Sequence, residues 1–372
     1  MNTALPNSVD VFIAGGGPAG LATAIAARRH GLSVLVADGA VPPIDKACGE
    51  GLMPDGVEAL RELGIEIPED RREPFCGIRF VDGHQSAQAI FPEGCGYGVR
   101  RTTLHEVLID HASRVGTSLA WLAPVTGISS EGAYIAGELV RARWIVGADG
   151  AVSRVRTWTA LDTRECSSRR FAARRHYRVA RWTDFMELHW GPRSQVYVTP
   201  VAPDEICVAM ISNNVQMDLD QALADFPALQ TRLSAAEHAS SERGAITVSR
   251  KLRRVYRGNL ALVGDASAGV DAITGEGLCL AFRQSACLAE CLVTGDLARY
   301  QREHRRLVRR PTLMARLMLF MARQDGIRRR IMQEFESNPQ YFAGMLAMHV
   351  GAGTPREYVS NGISLGWQLL KV

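Results

Sequence analysis

The stretch that most constrains this chain is Gly15-Gly16-Gly17-Pro18-Ala19-Gly20, which follows the short apolar, β-branched run Val9 to Ala14 and leads into the helical pattern Leu21 to Arg29. In such a G-x-G-x-x-G turn, Gly15 permits the tight bend, Gly17 lets the backbone approach a pyrophosphate, and Gly20 lets helix and strand pack closely. Pro18 and Ala19 fall at the helix start, where free N–H groups and the helix dipole favour an anion. Gly31 closes the helix, and Ser33 to Ala37 reads as a second buried strand ending on Asp38, completing a βαβ unit. A carboxylate at that strand end, 23 residues after Gly15, accepts hydrogen bonds from an adenosine ribose, so the segment reads as a dinucleotide site.

With 372 residues the chain has room for about two domains. Apolar residues at 47% and charged residues at 22% describe a globular protein and exclude a disordered one. A formal charge of +4, almost all arginine on the basic side and spread along the chain, argues against nucleic acid as partner. Cysteines at 48, 76, 95, 166, 207, 279, 287 and 291 form no C-x-x-C pair and no zinc-type cluster, so a reduced, cytoplasmic chain without a metal is expected. Val11 to Ala27 is apolar but lacks a basic start and carries the glycines, so it reads as strand, turn and helix instead of a signal peptide. Nowhere do 18 apolar residues run uncharged, and no transmembrane segment is expected.

Further along, short strands alternate with turns from Phe75 to Val99, a helix follows over Thr102 to Val115, and three or four extended runs lead to Gly147-Ala148-Asp149-Gly150. A β-rich block covers Phe171 to Ala180, Phe185 to Trp190, Gln195 to Pro200 and Ile206 to Ser212, a floor for a substrate cavity with aromatic and basic side chains. Asn259 to Val263 is again a buried strand. It ends in Gly264-Asp265, some 245 residues beyond the first glycine motif, and a second strand-end carboxylate suits a ligand long enough to need anchoring at both ends. FAD is such a ligand, with ribityl hydroxyls for Asp265. Thr274-Gly275-Glu276-Gly277-Leu278 then feeds a helix whose start, at Gly275, Gly277 and Leu278, would face the flavin and stabilise negative charge on its reduced form by roughly 0.3–2 kcal/mol. That tunes a flavin without selecting its reaction.

These motifs, in this order, resemble the para-hydroxybenzoate hydroxylase-like FAD superfamily, which includes aromatic hydroxylases, geranylgeranyl reductases and flavin-dependent halogenases. The resemblance covers roughly residues 9 to 295 and implies an α/β chain: a Rossmann-like, glutathione-reductase-like FAD-binding domain from residues 1–72, 99–165 and 250–295, interrupted by a β-rich substrate domain from 73–98 and 166–249, and closed by helices over 296–372. It implies that Asp38 holds the adenosine ribose, that Arg101 reaches FAD from the next helix, and that Asp149 belongs to a DG motif shared by FAD and nicotinamide binding. The chain departs from the hydroxylase pattern after Asp265, where Ala268 and Asp271-Ala272 stand in place of the usual His and Pro. Lys46-Ala47-Cys48-Gly49-Glu50-Gly51-Leu52 is closer to the K-x-C-G segment of geranylgeranyl reductases, which makes Lys46 a cofactor neighbour, Cys48 a substrate-facing or proton-relay group and Glu50 its neighbour. The other reading of that segment is a loop that merely packs over FAD. The Trp-x-Trp-x-Ile-Pro signature of halogenases is absent.

The leading expectation is therefore an NAD(P)H-dependent FAD monooxygenase acting on a hydrophobic aromatic or polyketide-like small molecule. The alternative is a flavin reductase of carbon–carbon double bonds, and a non-catalytic flavoprotein stands behind both. No second G-x-G-x-x-G exists for a resident nicotinamide, so NAD(P)H is expected only as a transient reductant. His176-Tyr177 and His189-Trp190 either line the cavity or pack in the sheet. The arginine-flanked run Leu313 to Met321 reads either as a helix in peripheral contact with a membrane or, more simply, as part of a terminal layer over the FAD domain. Cys279, Cys287 and Cys291 share one helical face and are expected in the core.

Overall fold

The computed structural model describes residues 5–161 and 166–353, so residues 354–372 of the expected C-terminal region lie outside it. Its first sheet has the strand order Tyr256–Arg257, Leu260–Leu262, Glu138–Gly147, Ser8–Ala14, Val34–Ala37, Ser118–Ala120, with Gly132–Ile135 and Val125–Ile128 extending from Glu138–Gly147 as an antiparallel pair. Four of the five pairings along this path are parallel, with Val11 beside both Val34 and Trp144. Parallel strands covered by helices read as continuous apolar runs, and Val11, Phe12 and Ile13 are indeed fully buried. The helices α1 (Pro18–Arg29), α2 (Pro54–Glu62), α3 (Arg101–Arg114) and the short α4 (Arg154–Trp158) surround this sheet.

The second sheet runs Glu237–His238, Cys166–Arg178, Glu205–Ser212, Ser194–Ala202, Phe185–Trp190, Gly77–Asp82, Gln85–Ile90, with Arg243–Arg250 also paired to Cys166–Arg178. It is antiparallel except where Phe185–Trp190 meets Gly77–Asp82. Period-2 alternation sends Val196, Val198 and Val208 to one face, where the small helices α5 (Leu219–Leu223) and α6 (Pro227–Leu233) cover them, and Tyr197, Ala209 and Ile211 to the other. A three-stranded sheet of Gly51–Leu52, Gly96–Gly98 and Glu73–Phe75 joins the two.

The chain ends in α7 (Gly277–Thr294), α8 (Leu297–Arg323), α9 (Asp325–Ser337) and α10 (Pro339–Val350). Helix α7 has the length and hydropathy of a bilayer span, yet it packs against α1, α2 and α8 with Phe282, Leu288 and Cys291 fully buried, which makes it a core helix. Of the three cysteines expected in the core, Cys279 and Cys291 are buried and Cys287 is only half-buried. The terminal helices differ from expectation in what they cover. Leu297 and Tyr300 of α8 join the FAD-type core, but Met314, Met318 and Met321, with Phe335 and Phe342, pack on Phe80, Leu188 and Trp190 of the second sheet. That face of the second sheet carries large apolar side chains, and the helices remove them from water.

Candidate cofactor and substrate site

The C-terminal ends of the parallel strands and the apolar face of the second sheet enclose one cavity of about 580 Å³. All but one of the residues expected to hold a cofactor line it: Gly15, Gly17, Pro18 and Ala19 at the first turn, Asp38, Lys46, Arg101 and Asp149 along the sides, and Asp265, Gly275, Gly277 and Leu278 at the far end. The exception, Gly20, has the packing role that its place in the motif implies. A Cβ there would lie 1.9 Å from the Gly15 carbonyl oxygen, so only glycine lets α1 sit so close to the preceding turn. Gly15 holds φ +113°, and a side chain on it would run into the Ala148 backbone. Gly17 has ordinary backbone angles, and the space around a Cβ there is open.

The donors fit an elongated anionic cofactor. Gly17 caps α1 and Glu276 caps α7, neither giving a side-chain hydrogen bond, and neither helix has an acidic residue in its first turn. Two helix starts with unsatisfied N–H groups therefore open onto the same cavity. Between them the Arg101 guanidinium is buried and makes no hydrogen bond or ion pair with a described residue; burial lowers its pKa, with Cys48 and Asp265 opposing. Asp38 accepts from the Gly16 and Ala40 amides at 2.7 and 2.8 Å, which fixes its carboxylate at the rim. Lys46 and Asp265 pair across the cavity at 3.6 Å, both half-exposed. Asp149 is spent on the chain itself, accepting from the Ser153 hydroxyl and from the Arg154 and Val155 amides, which anchors α4.

Cys48 and Glu50 lie where the first sheet meets the second. Glu50 adopts φ +58°, a conformation that costs a non-glycine residue on the order of 1 kcal/mol, and its side chain is held by three partners. Oε1 accepts from the Arg101 amide at 2.9 Å and lies 3.6 Å from Arg174 Nε, while Oε2 is 2.6 Å from His176 Nε2. Arg174 is bonded on to Asp45. His176 Nδ1 is 2.8 Å from the hydroxyl of the half-exposed Ser240 and 3.2 Å from Arg174 Nη1. Because Arg174 can only donate, Nδ1 is the acceptor and the Nε2 proton points at Glu50. Burial pushes the Cys48 thiol up; the Arg101 charge opposes this and the Glu50 charge adds to it, and the net upward shift keeps the thiol protonated. Glu50, His176 and Cys207 bring three metal-type ligand atoms within 4.8 Å of one another, but two of them are hydrogen-bonded together and Arg174 stands alongside, a setting hostile to a cation.

The wall from the second sheet is apolar, with Ala172, Met186, Tyr197, Ala209 and Ile211 among its residues. The Tyr197 hydroxyl donates to the Ile273 carbonyl at 2.5 Å, and burial raises its pKa well above the ordinary value. The basic side chains expected on this floor are engaged elsewhere: Arg170 with Asp271, Arg174 with Asp45, Arg175 with Asp220 and Glu242. Of the four aromatic candidates in the block only His176 reaches the Cys48 region. Tyr177 lies in the opposite core, His189 pairs with Glu187, and Trp190 packs edge-on against Phe80. Sequence reasoning missed His105, whose Nδ1 accepts from the Ile44 amide and whose Nε2 donates to the Gly16 carbonyl at 2.8 Å, tying the Lys46 loop to the glycine turn. It also missed that Arg156 ties the Asp149 and Asp265 segments together through the Ala151 and Ala266 carbonyls.

Known proteins share both sequence and shape with this chain. It is 26% identical over 319 residues to a menaquinone reductase of Mycolicibacterium smegmatis, covering 78% of each chain. It is 26% identical over 321 residues to a ubiquinone hydroxylase of Rhodospirillum rubrum, covering 77% of this chain and 73% of the other. The solved structure of a geranylgeranyl bacteriochlorophyll reductase-like protein from Thermoplasma acidophilum superposes with a TM-score of 0.79 at 20% identity, covering 98% of each, which shows a common fold. The family model described as FAD binding domain matches residues 8–295, spanning both glycine-cushioned helix starts and the Cys48 segment between them, and the chain belongs to that family of FAD-dependent oxidoreductases.

Proposed function

We propose that this FAD-dependent oxidoreductase reduces a carbon–carbon double bond in a hydrophobic small molecule of the prenyl-quinone or prenyl-lipid type. The observation that carries the reading is a half-buried, protonated thiol on the cavity wall, two residues from Glu50, whose carboxylate is linked through His176 and Ser240 toward solvent. Gly17, Arg101, Asp38, Asp265 and the start of α7 would hold FAD, which when bound supplies the electron pair that such a reduction consumes. NAD(P)H as the transient source of those electrons belongs to the same proposal.

Saturating a double bond also consumes a proton at the second carbon, and the chain's own groups are suited to deliver it. Cys48 presents an acid at the cavity, because desolvation disfavours its thiolate. His176 can take a proton at Nδ1 from the Ser240 side and release another from Nε2 to Glu50, whose backbone amide lies 3.4 Å from the Cys48 sulfur. The apolar wall excludes water and leaves room for an isoprenoid-like body. The names of the menaquinone reductase and the geranylgeranyl reductase-like neighbour support the same choice.

A second reading, hydroxylation of a quinone or other aromatic ring, is favoured by the ubiquinone hydroxylase relative. The two separate in one experiment. Holoenzyme reduced chemically under nitrogen is mixed with a prenylated quinone, and the product is weighed by mass spectrometry. After the ring is re-oxidised to the quinone, a lasting gain of two hydrogens without oxygen is expected; a gain lost on re-oxidation, or turnover only in air with one oxygen atom inserted, would overturn the reductase reading.

A further inference from the structure

We propose that α8 docks this protein onto an anionic lipid bilayer surface. The inference rests on the outer face of that helix and is independent of which reaction the cavity performs.

Helix α8 carries eight arginines against a single glutamate, Glu303. Among its solvent-exposed positions are Arg302, Arg305, Arg306, Arg309, Arg316 and Arg323, with Leu313 and Phe320 set among them. At 3.6 residues per turn these eight fall within about 100° of arc, along roughly 30 Å of helix. Arg302 lies 3.9 Å from Asp296 and Arg306 3.0 Å from Glu303 at the N-terminal end, and no carboxylate of α8 stands on the stripe from Arg309 to Arg323. Arg309, Arg316 and Arg323 make no hydrogen bond or ion pair with any described residue, whereas solvated helix faces are usually laced with charges of both signs. Leu313 is 57% and Phe320 46% exposed, although α8 has buried its methionines on the opposite side.

The mixture selects the partner. Arginine forks match lipid phosphates, and a row of them gains from the negative potential of an anionic leaflet. Leu313 and Phe320 project from the middle of that row, where they can enter the boundary between headgroups and acyl chains. An acidic protein or a nucleic acid would engage the arginines but would leave these two side chains without an apolar partner. The buried face, Met314, Met318 and Met321, fixes α8 to the second sheet, so the stripe is presented on a rigid body next to the apolar cavity wall.

The test is co-sedimentation of the full-length holoprotein with vesicles of phosphatidylcholine alone or mixed with phosphatidylglycerol. Binding to the mixed vesicles should be at least about tenfold tighter and should fall in high salt, because surface charges are screened. The triple variant R309E/R316E/R323E should lose that binding while keeping FAD and its unfolding midpoint. The variant L313S/F320S should bind severalfold more weakly with the salt dependence unchanged, and Phe320→Trp should show a blue-shifted emission on adding anionic vesicles. Wild-type protein left in the supernatant with anionic vesicles, equal binding to both vesicle types, full displacement by duplex DNA, or a self-association abolished by L313S/F320S in place of vesicle binding would each overturn the proposal.

Discussion

Gly17 and Gly20 stand three residues apart in one motif, yet alanine at the two positions should do opposite things. At Gly17 the backbone angles are φ −72° and ψ 179°, open to any residue, and a new Cβ meets no protein atom within 4 Å. Alanine caps a helix less well than glycine, at about 0.5–1 kcal/mol, and gains about 0.4–1 kcal/mol from the less flexible unfolded chain. The apo protein should therefore keep its stability to within about 0.5 kcal/mol. The added methyl, however, occupies the approach to the N–H groups of α1. Losing one charge-assisted hydrogen bond there costs about 1.5–3 kcal/mol, which weakens FAD binding by about 10- to 150-fold. At Gly20 the Cβ would overlap the Gly15 carbonyl oxygen at 1.9 Å, so α1 must shift, and overpacking of about 1–3 kcal/mol falls on the apo protein. Urea unfolding of the apo forms and fluorescence titration with FAD measure both quantities. The reasoning fails if Gly17→Ala binds FAD like wild type, or if it destabilises the apo protein by more than about 2 kcal/mol.

His304 is buried against Ser267 with a pKa held down to about 4, so the folded state resists protonating it. Since the unfolded imidazole titrates near 6.5, stability should be intact above that pH and fall by about 3 kcal/mol as pH drops toward 4; His304→Gln should remove this slope in pH-dependent urea melts. Cys48→Ala should retain FAD and lower turnover by about 10²–10⁴, the range of a lost general acid, and the FAD spectrum separates this from a binding defect. Phe342 stacks on Phe335 at 5.1 Å and meets Phe80 at 4.7 Å, so Phe342→Ala should cost about 3–5 kcal/mol, measured by unfolding, by opening a void between α10 and the second sheet.

What was legible in the sequence follows from the range of the forces involved. The turn at Gly15 to Gly20, the strand ending at Asp38 and the helix after Gly275 each announce themselves through local requirements on φ, side-chain volume or periodicity, and each appears where expected. Helix α2, the small α5 and α6, and the strand Arg243–Arg250 carry periodic signals too weak to mark them in the sequence. The Glu50 network was invisible for a different reason. His176 lies 126 residues from Glu50 and Ser240 a further 64 on, and only the pairing of Cys166–Arg178 with the strands around it brings them together. Asp149 shows the converse: its motif was plain, but the capping of α4 that occupies its carboxylate needed coordinates.

In the proposed holoenzyme one FAD would lie along the cavity, with its pyrophosphate at α1 and its flavin between Gly275 to Leu278 and the Cys48 wall. A crystal structure of the FAD-bound protein tests it most directly. The adenosine ribose should rest on Asp38, the phosphates on the Gly17 turn, and the Cys48 thiol should face the ring from the substrate side. A flavin ring lodged away from the α7 start, with Cys48 shielded from it by protein, would contradict it.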